Sequence, residues 1–121
     1  MRLKNILIVV KDIEQSKVFY KELFGLDTVR QFEGNTILTE GLVLQEKRSW
    51  EQLIGEAVSL KGRASELYFE TYDLEAFQRK LDNSTFSIEY VTHLTTYEWG
   101  KRVIRLYDPD GHLIEVGEAG H

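Results

Sequence analysis

An internal repeat constrains the fold of this chain more than any other feature. Asp12, Ile13 and Glu14 recur as Asp73, Leu74 and Glu75, at a constant offset of 61 residues. Each Asp precedes an amphipathic segment, where its short carboxylate can accept from the free N–H groups of a helix start. Gln15 stands three residues after Asp12, the spacing of a capping box. Upstream of each cap is a β-prone run, NILIVV (5–10) and ELYFET (66–71). Three more such runs follow each helix: DTVRQF, NTILTE and LVLQEK, then SIEYVTHL, KRVIRLYD and HLIEVG. The order is βαβββ, twice, which reads as a duplicated unit and an α+β fold class. The chain is expected to be one domain, 1–121. Module one covers about 1–47, a connector about 48–64, and module two about 65–118.

Helix periodicity places Ile13, Tyr20, Leu23 and Phe24 on the inner stripe of the first helix, which Gly25 ends. Leu74, Phe77 and Leu81 do the same for the second. The connector is expected to hold a short helix around 50–54. In strands, side chains alternate between faces. Ile6, Ile8 and Val10 are expected to pack on the first helix, Leu67 and Phe69 on the second, with Ile114 and Val116. The opposite face then carries Asn5, Gln45, Glu66 and Glu115 at four places related by the repeat. Leu7, Val43, Tyr68 and Leu113 lie beside them. A sheet face that mixes polar and apolar groups suits a ligand cleft.

Composition narrows the function. The formal net charge of −5 argues against a nucleic-acid partner, which needs a basic face. The chain has no cysteine, so thiolate metal sites, disulfides and thiol nucleophiles are excluded. The apolar run before Lys11 is too short to span a membrane. A cytoplasmic location is expected.

The paired βαβββ units, VVKDIEQSKVFYKELFGL near the start and WGKRVIRLYDPDGHLIEVGE near the end, resemble the vicinal oxygen chelate superfamily. It is also called the glyoxalase / bleomycin resistance / extradiol dioxygenase superfamily. The resemblance implies a cupped mixed β-sheet with helices on its outer face, a small-molecule ligand in the cup, and a homodimer. In the family's enzymes it also implies a divalent metal, held by side chains of the first and last strands of each module. Carried onto this chain, those positions are Asn5, Gln45, Glu66 and Glu115. His93, His112 and His121 fall on none of them. Without imidazole, an extradiol dioxygenase reading is poor. Of Mn²⁺, Mg²⁺, Ni²⁺ and Zn²⁺, an oxygen-only set suits the first two better.

Several readings of these residues stand side by side. Glu66 and Glu115 are expected either to bind a cation or to serve as an acid–base pair. Alternatively they are solvated, or bonded to Asn5 and Gln45, with no chemistry. The loop HLTTYEWGKR (93–102) offers Tyr97 and Trp99 for stacking and Arg102 for an anion, as a lid, with His93 nearby. Its plain alternative has Trp99 packed in the core or a dimer interface. Trp50 is expected to anchor the connector helix. DPDG (108–111) reads as a turn. Three functions follow: a metal-free small-molecule binder, a metal-dependent lyase or isomerase of glyoxalase type acting on an α-oxo or α-hydroxy substrate, and a metal-free acid–base enzyme.

Overall fold

The computed structural model describes residues 1–120; His121 lies outside the described residues. The chain forms two compact units, Met1–Leu60 and a second one from Lys61 onward.

The first unit contains β1 (Ile6–Val10), α1 (Ile13–Phe24), β2 (Thr28–Phe32), β3 (Asn35–Leu38), β4 (Leu42–Glu46) and α2 (Lys47–Ile54). Its sheet has the order β1-β4-β3-β2. β1 runs parallel to β4, and the other pairs are antiparallel. Asp12 caps α1 through a bond from the Gln15 N–H, and Gly25 closes the helix with φ of 70°. The buried stripe of α1 is Ser16, Phe19, Tyr20 and Leu23. Phe19 therefore joins Tyr20 and Leu23 inside, while Ile13 and Phe24 are half-buried. Ser16, Phe19, Tyr20 and Leu23 are spaced i, i+3, i+4, i+7, which is one helix face. Of the β1 residues expected to pack on α1, Val10 is fully buried and Ile8 half-buried. Ile6 is 56% exposed, a correction explained by its place at the open start of the strand.

The connector helix begins earlier than expected. The Glu46 carboxylate, at the end of β4, accepts from the N–H groups of Arg48 and Ser49 and so starts α2 at once. The last strand residue doubles as the cap, so α2 belongs to the first unit. Glu51 then ties the segment after α2, accepting from the Val58 N–H and from Lys47. Those two bonds hold its carboxyl below the ordinary carboxylate value.

The second unit contains β5 (Glu66–Thr71), α3 (Leu74–Asp82), β6 (Glu89–Thr96), β7 (Arg102–Tyr107) and β8 (Leu113–Glu118). Its sheet order, β5-β8-β7-β6, repeats that of the first unit, again with one parallel pair. Asp73 caps α3 by accepting from the Ala76 N–H. Leu74, Phe77 and Leu81 are buried with Ile104, Leu106, Ile114 and Val116, which forms this unit's core. β6 begins and ends two residues later than the run SIEYVTHL, and its register with β7 is irregular between Tyr90 and Thr95. In the DPDG turn, Asp108 accepts from the N–H groups of Asp110 and His112.

Candidate functional site

β8 organises the site. Ile114 and Val116 point to the helix side and are buried, so Leu113, Glu115 and Gly117 point to the open side. Strand register then fixes their neighbours. On β5, Glu66 lies opposite Leu113, Tyr68 opposite Glu115, and Glu70 opposite Gly117. On β7, Arg105 lies opposite Glu115 and Val103 opposite Gly117, and on β6 Thr92 lies opposite Arg105.

Glu115 is only 7% exposed although it faces away from the core. Its two oxygens face two cations. One accepts from Arg105 Nη2 at 2.6 Å, and the other lies 3.6 Å from Lys101 Nζ. Arg105 also donates through Nη1 to the Tyr97 hydroxyl, and its guanidinium carbon lies 5.4 Å from the centre of that ring. Burial pulls the Arg105 pKa down, but the Tyr97 bond and the Glu115 charge outweigh it and the net direction is up. Lys101 Nζ sits 5.9 Å from the Tyr68 ring centre. Tyr68 leans over Gly117: a Cβ there would stand 2.3 Å from the Tyr68 hydroxyl. Glycine is what lets the ring lie across β8. The Thr92 hydroxyl is buried and has no hydrogen-bond partner among the described residues.

The other expected site residues are placed as follows. Glu66 shares the open side with Glu115 but is exposed, and Glu115 turns to Arg105 and Lys101 rather than to it. Asn5 is exposed just before β1, with its side-chain oxygen near Gly41. Gln45 is engaged at both ends, accepting from Asn35 at 2.7 Å and donating to Ser49 at 2.8 Å. Leu7 is half-buried opposite Val43, which is buried. Trp99 is 79% exposed in the tight turn from Tyr97 to Gly100, so it does not pack in the core of its unit. His93 is exposed and stacks on Tyr90, ring centres 3.7 Å apart. The Tyr90 hydroxyl accepts from Gln78 of α3, which puts that stack by the helix.

Arg102 needs correction as the anion-binding arginine. It pairs with Glu75 of α3 and with Glu118, on the side of Ile104 and Leu106. Within β7 the arginine of the open side is Arg105, and Arg63, before β5, lies over the ring of Tyr107 on the same parity. The signal was present in RVIRLY: apolar Ile104 and Leu106 share a parity with Arg102, which leaves Arg105 on the other face. Lys101 carried no such signal, because it lies in the turn before β7.

The divalent cation implied by the family does not fit this donor set. A cation at Glu115 would meet the guanidinium and ammonium groups already bound there. Two unit charges about 4 Å apart near a protein surface interact by about 4 kcal/mol, and here the sign is repulsive. The amide oxygen of Gln45 already accepts from Asn35, which leaves it one lone pair. Among the described residues no cluster of three or more His, Asp or Glu is arranged to hold a metal.

Comparison with known proteins gives a consistent picture. A family described as Glyoxalase-like domain matches residues 3–120. The uncharacterized protein YraH of Bacillus subtilis is 29% identical, the match covering 96% of this chain and 97% of that protein. A crystal structure of a protein of unknown function from Agrobacterium tumefaciens is 36% identical. It superposes with a TM-score of 0.85 over 98% of this chain and 94% of its own. A glyoxalase-related enzyme from Fulvimarina pelagi is 20% identical and superposes with a TM-score of 0.81, over 97% of this chain and 87% of its own. At that identity the likeness shows the fold alone. The duplicated βαβββ units and the match over nearly the whole chain lead to one assignment: this chain belongs to the glyoxalase-like family of the vicinal oxygen chelate superfamily.

Proposed function

We propose that this protein binds a small organic molecule on the open side of its second unit, and does so without a divalent cation. One observation carries the reading: the family's metal-ligand position, Glu115, is occupied by Arg105 and Lys101. Tyr68 and Tyr97 supply flat apolar surface beside these charges, and Trp99 stands exposed at the adjoining turn. That mixture of aromatic walls and few polar groups is what ligand sites use. The binding branch of the family supports the reading, and with it a single-domain chain that works as a cytoplasmic homodimer. Acid–base catalysis by Glu66 and Glu115 has less support, since Glu115 is bound to two cations and Glu66 is exposed.

The test is a thermal-shift screen of a small-molecule library on chelator-treated protein, repeated with added Mn²⁺ and Ni²⁺. The expected result is a compound that raises Tm by several degrees equally in both conditions, with the shift reduced in Tyr68→Ala. Stabilisation seen only with metal present would overturn the proposal.

A further inference from the structure

We infer that Arg105 and Lys101 take over, at Glu115, the electrostatic task a divalent cation has at this position in the family's enzymes, and that the ligand is a small organic monocarboxylate. This rests on the binding site proposed above and names its ligand class.

The argument starts from donor capacity. A guanidinium has five N–H donors in a fixed planar fork. Arg105 spends one on Glu115 and one on Tyr97, and its remaining N–H groups have no partner among the described residues. Lys101 has three donors and one close partner, and its side chain is 45% exposed. These donors face the same side of the sheet. A planar carboxylate matches such a set, because guanidinium–carboxylate bonds are charge-assisted and directional. Tyr68, beside Lys101, gives the ligand's body a flat wall.

Charge sets the valence. Around Tyr68, Arg105 and Lys101 against Glu115 leave one positive charge, while Arg63 stands further along the strand, over Tyr107 and donating to the Gly111 carbonyl. Glu66 and Glu70 flank Tyr68 on the same side of β5 and are exposed carboxylates. A second negative charge on the ligand would meet them. The site therefore favours one acidic group on an otherwise neutral, flat molecule over dicarboxylates or phosphorylated compounds. Arg102 offers no help, since it is tied to Glu75 and Glu118 on the helix side.

Calorimetry on chelator-treated protein tests this with benzoate, phenylpyruvate and pyruvate, their amides as neutral isosteres, and phthalate as a dianion. At least one monocarboxylate should bind, its amide at least about tenfold more weakly, and phthalate more weakly than benzoate. Lys101→Met should weaken binding about tenfold. Arg105→Lys, which keeps a charge beside Glu115 but loses the planar fork, should weaken it about tenfold or more, with an unchanged circular dichroism spectrum. Equal binding of acid and amide, unaffected by either variant, overturns the inference yet leaves the metal-free site standing. The same titrations are run on untreated protein with added Mn²⁺, and binding seen only there overturns the site reading itself. No binding by any of these compounds also overturns the inference.

Discussion

Ile114→Ala is expected to lower the stability of this protein by about 3–4 kcal/mol, while Leu113→Ala next to it costs about 1 kcal/mol. Ile114 is fully buried between β5 and β7, in register with Leu67 and Leu106. Truncating it removes transfer free energy and leaves a cavity that a packed β-sheet cannot close, and such changes cost about 2–5 kcal/mol. Leu113 has the opposite parity, lies opposite Glu66, and is only half-buried. Denaturant unfolding of the two variants measures the difference, with m-values compared to confirm a common unfolded state. Similar losses in both would mean that β8 is not packed on one side only, and the assignment of Glu115 to the open side would fall with it.

Arg105→Ala is expected to cost about 2–3 kcal/mol, because it leaves Glu115 buried with Lys101 alone. The figure sits at the low end for a hydrogen-bonded charge pair because Arg105 itself is 27% exposed. Glu115→Leu removes the other partner, and the double variant Arg105→Ala/Glu115→Leu should recover most of the loss. A double-mutant cycle on unfolding free energies isolates the pair, with an expected coupling of about 1–3 kcal/mol. Additive losses would show that the two side chains do not interact, which would remove the main support for a metal-free site.

The sequence carried the fold well and the site only in part, for physical reasons. The repeat of Asp12 and Asp73 fixed two helix starts, because an N-cap has a short-range cause that sequence records directly. Strand parity identified Glu115 and Tyr68 as open-side residues, and β5 alternates as expected, with Leu67 and Phe69 less exposed than Glu66, Tyr68 and Glu70. α2 starts before the stretch that its sequence pattern marks, because its cap is Glu46, a residue that the strand pattern also claims. Arg102 stands next to the aromatic loop in sequence, but parity within RVIRLY puts it on the helix side and Arg105 on the open side. What no local pattern encodes is which cation reaches Glu115. That depends on the β7–β8 register and on the turn that delivers Lys101, both set by tertiary pairing.

Calorimetric titration of chelator-treated protein with Mn²⁺, Ni²⁺ and Zn²⁺, alongside Glu115→Gln, tests the central claim most directly. With Arg105 and Lys101 holding Glu115, none of the three ions should bind stoichiometrically, and the variant should give the same flat trace. Saturable binding of any of them in the wild type, lost in Glu115→Gln, would place a metal where this account places two side-chain cations.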